Sequence, residues 1–315
     1  MGVALAVSID KDIGMSKNAY SIRVLEYAYA ANYPESGVVY GSHNAGFRKL
    51  PYAYVLIQGQ GHNIMIDVGY NHAEYGGYLA DKFGVTNWHS ATAVLSECGL
   101  RPEDIDAVFI THAHFDHMGN IQAFPNATLY IQDQEIVSWI SAMGQPPHMQ
   151  WAMAGTDPSD IIRIADLARQ GRLVCLKGAV ENIFPGVDVH PAYDTHTDGC
   201  MWIKVRNDLM SDSNNAWVLA GDLVYAYKNL VANPRVVNGE IEGELQLRPV
   251  GLAMGSKSKL IFTTDEMLKH VQYQVKRVVP VHEEMLAEVF PSRVTGNDLK
   301  VIEICLSDEA SSYVA

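Results

Sequence analysis

Cysteine and basic residues are both scarce in this sequence. Its four cysteines are far apart and form no Cys-x-x-Cys pair: Cys98, Cys175, Cys200 and Cys305. This argues against a disulfide framework and against a thiolate metal site, so we expect free thiols in a reducing compartment. Lysine and arginine total 23 against 36 acidic residues, a formal net charge of −13. A protein that binds nucleic acid needs a basic stripe, and none is visible in the sequence.

The sequence also has no apolar run long enough for a membrane span. Residues 3–9 are apolar, but this stretch is too short and lacks the basic start and the cleavage site of a signal peptide. We expect a cytoplasmic protein with no membrane partner. No repeat, low-complexity tract or linker divides the 315 residues, and 48% of them are hydrophobic. We therefore predict one catalytic domain over residues 1–315.

Histidine and carboxylate are concentrated directly behind the apolar run at residues 107–110. Four metal-competent side chains lie within six positions: His112, His114, Asp116 and His117. If the strand ends near Thr111, the first two histidines point the same way and share one cation, while the last two residues face a neighbouring position. A single tetrahedral ion cannot easily use all four side chains, so the spacing indicates a two-metal site. A histidine-rich surface loop is the alternative interpretation.

Three further candidate ligands each follow a β-rich run, and they occur in the order His196, Asp222, His282. His196 lies in a small polar turn after residues 187–189. Asp222 and His282 come directly after two buried-strand patterns. Alone, each residue is more typical of a cap or a turn. Together, three ligands at strand ends can converge on the edge that carries the first cluster.

This ordered pattern, His-x-His-x-Asp-His followed by His196, Asp222 and His282, resembles the metallo-β-lactamase superfamily over about residues 52–285. The resemblance implies an α/β protein with an αββα sandwich, and the interleaved strand and helix patterns agree with that fold class. It also implies that Asp67, in the early strand-Asp-x-Gly element, supports the metal site without binding an ion. We assign His112, His114 and His196 to one ion, Asp116, His117 and His282 to the other, and Asp222 as the bridge.

Histidine and carboxylate ligands bind several divalent metals. We therefore predict that the two ions are zinc, with manganese, iron or cobalt as alternatives. A water shared by two such ions loses a proton near neutral pH and becomes a nucleophile. Asp116 is placed to pass that proton to the departing alkoxide.

The run His-x-His-Phe-Asp-His-x-Gly and the spacing from Asp222 to Tyr225 resemble the N-acyl-homoserine lactonase branch. In that branch, a tyrosine three residues after the bridging aspartate reaches the substrate carbonyl. A core tyrosine is the alternative for Tyr225. We predict a hydrolase that opens a lactone ring in a small-molecule substrate. A metallohydrolase that acts on an amide, a thioester or a halogenated aromatic is the alternative. A third class, a diiron redox protein of the same superfamily, would normally also have a flavin-binding domain, which we do not expect here.

Two segments, residues 133–180 and 226–270, are longer than in compact lactonases. They contain stretches rich in methionine, tryptophan and proline at residues 146–153 and 247–254. Such stretches suit lids over an apolar pocket, because methionine adapts to irregular ligands and loops carry specificity. Extra helices packed on the core, or a contact in a homodimer, are the alternatives.

Periodicity and turn residues predict individual elements in this chain. We predict strands at residues 21–30, 52–57, 64–68, 107–110, 127–132, 173–176, 187–190, 201–205 and 217–220. We predict helices at residues 89–98, 133–143, 161–169 and 264–277.

Overall fold

The computed structural model describes residues 18–314, so the apolar stretch at residues 3–9 lies outside the described part. The strands are β1 (Tyr20–Pro34), β2 (Phe47–Gly59), β3 (His62–Ile66), β4 (Val85–Thr86), β5 (Ala107–Phe109), β6 (Thr128–Gln132), β7 (Leu173–Leu176), β8 (Val180–Phe184), β9 (Val187–Tyr193), β10 (Gly199–Arg206), β11 (Ala216–Leu219), β12 (Val231–Val237), β13 (Glu240–Leu245), β14 (Val278–Val279), β15 (Ser292–Val294) and β16 (Lys300–Cys305). The α-helices are α1 (Glu35–Val38), α2 (Tyr75–Lys82), α3 (Ala91–Ser96), α4 (Phe115–Met118), α5 (Asp133–Met143), α6 (Pro158–Arg169), α7 (Lys257–His270) and α8 (Leu286–Val289).

These strands form two large sheets and one separate hairpin. The first sheet has the spatial order β15-β16-β1-β2-β3-β5-β6-β7, with β4 paired to β1, and the second has the order β14-β11-β10-β9-β8. The ring of Phe184 in β8 lies 6.0 Å from that of Phe109 and 6.1 Å from that of Tyr130 in the first sheet. The two sheets therefore face each other across one buried core. With its helices, the chain has the predicted αββα sandwich of the α/β class.

Parallel pairing places several strand ends at one edge of the sandwich. In the first sheet β3 runs parallel to β5, and in the second β11 runs parallel to β14. Neighbouring parallel strands deliver their carboxyl ends to the same side. Asp67 and His112 follow β3 and β5, while Asp222 and His282 follow β11 and β14. The order of strands thus brings together residues that are far apart in the sequence.

Most of the predicted elements occur close to their expected positions, and α5 has the predicted bounds. The helix predicted at residues 264–277 is wrong in register, because the observed helix α7 spans Lys257–His270. The Ser256 hydroxyl accepts a hydrogen bond from Lys259 N–H at 3.2 Å and starts the helix early. Positive φ angles of 54° at Gln272 and 59° at Tyr273 end it before the predicted C-terminus.

Two other sequence-based expectations bear on the described residues. None of their helices is both long enough and apolar enough to cross a membrane. The four cysteines are free thiols, as expected. Cys200 Sγ accepts a hydrogen bond from Thr197 N–H at 3.2 Å, so this thiol packs directly behind the turn that carries His196.

Candidate metal centre

The seven predicted ligands come together in two groups at the edge of the sandwich. The ligand atoms in each group lie within 4.8 Å of one another. The first group is His112, His114, His196 and Asp222, and the second is Asp116, His117 and His282. This division agrees with the assignment made from the sequence.

Three imidazole nitrogens converge in the first group. His114 Nδ1 lies 2.9 Å from His112 Nε2 and 3.0 Å from His196 Nε2. Burial lowers the pKa of His112 well below its usual value, that of His114 to about 4 and that of His196 to about 3. The three rings are therefore neutral at pH 7 and present lone pairs, the form that binds a metal ion.

The two oxygens of Asp222 are divided between the groups. Asp222 Oδ1 lies 3.1 Å from both His117 Nε2 and His282 Nε2 in the second group. Asp222 Oδ2 lies 3.3 Å from His196 Nε2 and 3.7 Å from His112 Nε2 in the first group. This is the arrangement expected of a carboxylate that bridges two cations.

Three carboxylates surround His117 of the second group. Burial alone would lower the pKa of His117, but the carboxylates of Asp222, Asp116 and Asp67 raise it well above its usual value. Burial would also raise the pKa of Asp222, whereas His117 and His282 hold it well below its usual range. In the metal-free chain, charged imidazoles therefore compensate for the buried carboxylates. A divalent cation can take over that role and displace the protons.

Unpaired polar atoms test whether these residues fit metal ions. The buried atoms His117 Nε2 and Asp222 Oδ1 have no hydrogen-bond partner in the described part of the chain, although they are 3.1 Å apart. Buried polar atoms are rarely left unpaired, and a histidine nitrogen and a carboxylate oxygen are both common ligands of a divalent ion. The donor set of imidazole and carboxylate, with no thiolate, therefore fits divalent metal ions at this position.

The outward nitrogens of two ligand rings, His117 and His282, are held by the surrounding chain. Asp67 Oδ2 lies 2.7 Å from His117 Nδ1, and the same carboxylate accepts hydrogen bonds from the backbone and hydroxyl of Thr111 at 2.7 and 2.8 Å. His282 Nδ1 lies 2.6 Å from the carbonyl oxygen of Pro51. Each contact leaves the Nε2 atom of its ring directed toward the centre. Asp67 therefore supports the site in the manner that the family resemblance implied.

The backbone at Gly221 passes close to Thr111, and this contact positions the carboxylate of Asp222. Gly221 precedes Asp222 and has a φ of +51°, a conformation that favours glycine. A Cβ atom at Gly221 would lie 2.9 Å from the Cβ atom of Thr111. The turn after β11 can therefore pack against the turn after β5 only because residue 221 has no side chain.

A cavity of about 290 Å³ opens onto the centre. Asp116, Asp222 and His114 line its metal side, and three buried tyrosines line another wall: Tyr33, Tyr52 and Tyr225. Burial first, and then the charge of Asp222, raise the pKa of Tyr225 well above its usual value, so the phenol keeps its proton and can donate it in a hydrogen bond.

Apolar side chains complete the cavity, namely those of Phe83, Phe115, Trp151, Leu252 and Met254. Parts of both methionine- and tryptophan-containing segments thus reach the cavity, and their action as lids stays a prediction.

Comparisons with known proteins agree with this geometry. Residues 48–282 match the family model described as the metallo-beta-lactamase superfamily. The chain belongs to the metallo-β-lactamase superfamily. A probable metallo-hydrolase of Methanocaldococcus jannaschii is 51% identical over 41 residues, which are 13% of this chain and 20% of that protein. A metal-dependent hydrolase of Roseiflexus is 40% identical over 47 residues, 14% of this chain and 19% of that protein. The matched segments thus span about a fifth of these relatives.

Solved structures share the metallo-β-lactamase fold over most of the chain. A probable metal-dependent hydrolase from Staphylococcus aureus has a TM-score of 0.59 at 18% identity, covering 86% of this chain and 91% of that one. A quorum-quenching N-acyl homoserine lactone lactonase has a TM-score of 0.57 at 16% identity, with coverages of 86% and 95%. A dizinc quorum-quenching lactonase has a TM-score of 0.59 at 15% identity, with coverages of 91% and 95%. At these identities the likeness shows the fold.

Sequence reasoning missed Glu135, a fully buried residue of this metallo-β-lactamase site. Its side chain accepts four hydrogen bonds, from Ala113 N–H, Trp139 Nε1, Thr197 Oγ1 and Gly199 N–H, at 2.7 to 2.8 Å. These bonds join the loop of the first histidines to the turn that carries His196. Its position in the first turn of α5 gave no distinct signal, because acidic residues are common there.

Asn229, also missed, holds the backbone of the candidate catalytic tyrosine. Its side-chain oxygen accepts hydrogen bonds from Tyr225 N–H at 3.1 Å and from Ala226 N–H at 2.9 Å. Its amide nitrogen donates to the carbonyl oxygens of Val38 at 3.0 Å and Arg248 at 3.2 Å. The position of Tyr225 is therefore tied to two other segments of the chain.

We expect Asp67→Ala to weaken metal binding by roughly 10- to 100-fold, because His117 then loses the carboxylate that orients its ring. Competition with a coloured chelator measures this change. Asp212→Ala, at an exposed position, is the matched control. Unchanged metal affinity in Asp67→Ala would show that His117 does not need this partner.

Proposed function

We propose that the chain is a metal-dependent hydrolase that holds two divalent ions, with zinc as the expected metal, and that it opens a lactone. The observation that carries the proposal is the division of the Asp222 oxygens between two ligand groups on the floor of a cavity lined by Tyr225. The family membership and the lactonases among proteins of the same fold support it. Manganese, iron or cobalt are the alternative metals.

Bound ions would supply a nucleophile by lowering the pKa of a shared water, and would polarise the carbonyl group of the substrate. Their ligands would be His112, His114, His196 and Asp222 in one group and Asp116, His117 and His282 in the other. Asp222 would also reach the second group through its Oδ1 atom. Asp67 and the carbonyl oxygen of Pro51 hold the Nδ1 atoms of His117 and His282, which directs the Nε2 atoms of these two rings toward the centre. The protein therefore orients these two ligands before an ion binds.

The chain's own residues then act on the ester. Tyr225 donates a hydrogen bond to the carbonyl oxygen, which gains negative charge when water oxygen adds to the carbonyl carbon. Asp116 accepts the proton released by the water and returns it to the ring oxygen as the C–O bond breaks. One lactone and one water thus give one hydroxy acid. Since both product groups stay in one molecule, the small cavity does not have to release a leaving group.

A screen of the purified protein tests this function. The metal content is measured, the ions are removed with a chelator and returned singly, and hydrolysis is followed on lactones, cyclic amides, thioesters, phosphodiesters and halogenated aromatics. We expect two ions per chain, lactone opening that disappears with the ions, and recovery with zinc. A metal-free chain with undiminished turnover would overturn the proposal. Faster turnover of another class would replace the lactone assignment.

We expect Tyr225→Phe to lower kcat on a lactone by roughly tenfold or more with no change in metal content, because a donor to the developing oxyanion is removed. Tyr227→Phe is the matched control, since Tyr227 is also buried and its hydroxyl has no partner among residues 18–314, but it does not line the cavity. An unaffected rate in Tyr225→Phe would remove this residue from the mechanism.

A further inference from the structure

A second cavity lies at the opposite end of two strands that lead to metal ligands. Its volume is about 720 Å³, and none of its lining residues lines the cavity at the metal centre. Trp217 in β11 and Arg277 directly before β14 line it, whereas Asp222 and His282 follow the other ends of the same strands. A cavity of this size can hold a small organic molecule, and the reaction proposed above makes no use of it.

The wall of this cavity contains a guanidinium group without an acidic partner. Arg277 Nε donates to Gln274 Oε1 at 2.9 Å. Arg277 Nη1 donates to Asn215 Oδ1 at 3.0 Å and to the carbonyl oxygen of Ala216 at 3.2 Å. Within residues 18–314, Nη2 donates no hydrogen bond and no carboxylate forms an ion pair with this group. Burial lowers the pKa of Arg277, and a partly buried cation is unfavourable unless an anion compensates it.

The indole of Trp217 adds a second unsatisfied donor. Arg277 lies over this ring, with Cζ 4.8 Å from the ring centroid. Trp217 is buried, and its Nε1 atom has no hydrogen-bond partner in the part of the chain that the structure describes. Buried donors are rarely left unpaired in proteins. The chain itself therefore leaves two neighbouring donors of this wall without acceptors.

The charges that line the cavity leave one positive charge uncompensated. Lys276 Nζ lies 3.0 Å from Glu240 Oε1, so these two residues balance each other. Arg277 is the remaining charged residue of the lining. The whole chain has a formal net charge of −13, so a general excess of basic residues does not explain the unpaired cation. A single negative charge, such as that of a carboxylate, matches this wall better than a dianionic phosphate does.

Apolar side chains form another part of the wall. Val231 and Ile241 come from the hairpin of β12 and β13, and Val289 and Phe290 come from the end of α8 and the residue after it. The ring of Phe290 lies 5.8 Å from that of Trp217, at an interplanar angle of 62°. The cavity thus combines one cation with a hydrocarbon surface, the combination that an amphipathic anion requires.

We propose that this cavity binds a small organic monocarboxylate with a hydrocarbon body. The carboxylate pairs with Arg277, and the body contacts Val231, Ile241 and Phe290. Such a site would operate whichever bond is hydrolysed at the metal centre.

Titration of the zinc-loaded, isotope-labelled protein with hexanoate tests the proposal. The chain has five tryptophans, and Trp217→Phe and Trp151→Phe identify two of their indole N–H signals in nuclear magnetic resonance spectra. Trp151 lines the cavity at the metal centre, so its signal reports any hexanoate that binds there instead. We expect a saturable shift of the Trp217 signal. Acetate, which lacks the body, and hexanamide, which lacks the charge, should each bind roughly tenfold or more weakly.

Arg277→Gln should weaken the binding of hexanoate at Trp217 by roughly tenfold or more, because a charge-assisted hydrogen bond is lost. Arg235→Gln is the matched control and should leave the affinity unchanged, since Arg235 is exposed on the hairpin and does not line the cavity. Lys276→Gln is a second variant, for use if thermal unfolding shows that Arg277→Gln has lost its fold. It leaves the carboxylate of Glu240 unpaired beside the site and should weaken binding severalfold.

A Trp217 signal that does not respond to hexanoate, while that of Trp151 does, would overturn the proposal. Equal affinities for hexanoate and hexanamide would overturn it too, as would an unchanged affinity in whichever of the two cavity variants is folded. Tighter binding of inorganic phosphate than of hexanoate would overturn the assignment to a monocarboxylate.

Discussion

Asp222→Ala is expected to lose most of its bound metal and roughly a thousandfold of its lactone-opening rate, because a two-metal site contributes several kcal/mol to transition-state stabilisation. Asp222 contacts both ligand groups through different oxygens. Its removal therefore weakens both ion sites together. Loss of another ligand, such as His282, affects the second group directly and the first only through the shared carboxylate.

Metal per chain after dialysis and kcat/KM on a lactone measure this effect. Asp222→Asn is the informative companion variant, because it keeps the size of the side chain and one bridging oxygen but removes the charge. We expect it to retain more metal than Asp222→Ala and less than the original protein. Thermal unfolding of each metal-free variant shows whether the fold has survived. Retention of two ions by Asp222→Ala would refute the bridging role.

The convergence of the seven predicted ligands could be anticipated from the sequence because their signals are local. His112, Asp222 and His282 each come shortly after an apolar run that becomes a strand, and such runs are the signal from which a strand is predicted. The density of histidine between His112 and His117 has no good explanation in packing. Asp67 required the family resemblance, because a single aspartate after a strand is common. Its positive φ of 63°, a strained conformation typical of functional sites, is visible only in the structure.

The positions of Tyr33 and Tyr52 in the cavity wall could not be predicted from local sequence patterns. Tyr33 and Tyr52 lie within long strands that precede the recognised motif, and aromatic residues in strands normally indicate core packing. Their place in the cavity wall follows from the irregular register and pairing of β1 and β2, which depend on contacts distant in the sequence. The helix predicted at residues 264–277 failed for a related reason, since the cap at Ser256 and the turn after His270 outweighed the periodicity of side chains.

The hairpin of β12 and β13 was also missed. Five of the six residues of β13 are exposed and three are acidic, and Gly243 interrupts the apolar positions, so this segment lacks the clear apolar alternation that indicates a strand. The homodimer, the cytoplasmic location and the single-domain organisation stay predictions from the sequence.

Glu135→Leu is expected to have the largest effect on stability, with a loss of about 3–5 kcal/mol in the free energy of unfolding, because its buried partners would be left unpaired. Burial raises the pKa of Glu135, and its hydrogen bonds from Ala113, Thr197, Trp139 and Gly199 act in the opposite direction. Those bonds are the interactions that compensate for burying a carboxylate. Leucine fills the volume but accepts none of them.

The same substitution should loosen the metal centre without touching a ligand. Glu135 joins the loop of His112 and His114 to the turn of His196, so its loss should lower zinc affinity by roughly 10- to 100-fold. Glu135→Gln separates the two effects, since glutamine keeps one acceptor oxygen for two of the four donors. We expect it to lie between the original protein and Glu135→Leu in both properties. Denaturant unfolding of the metal-free chain and chelator competition measure them.

Val137→Ala, at an exposed position of the same helix, is the matched control and should change neither property. A Glu135→Leu variant that is as stable as the original protein would show that the four donors find other partners. If the variant were destabilised but bound zinc with unchanged affinity, Glu135 would stabilise the fold without positioning the metal ligands. The turns that carry His112, His114 and His196 would then hold these ligands without its help. If both properties fall together, the carboxylate is the link through which the sandwich positions its metal ligands.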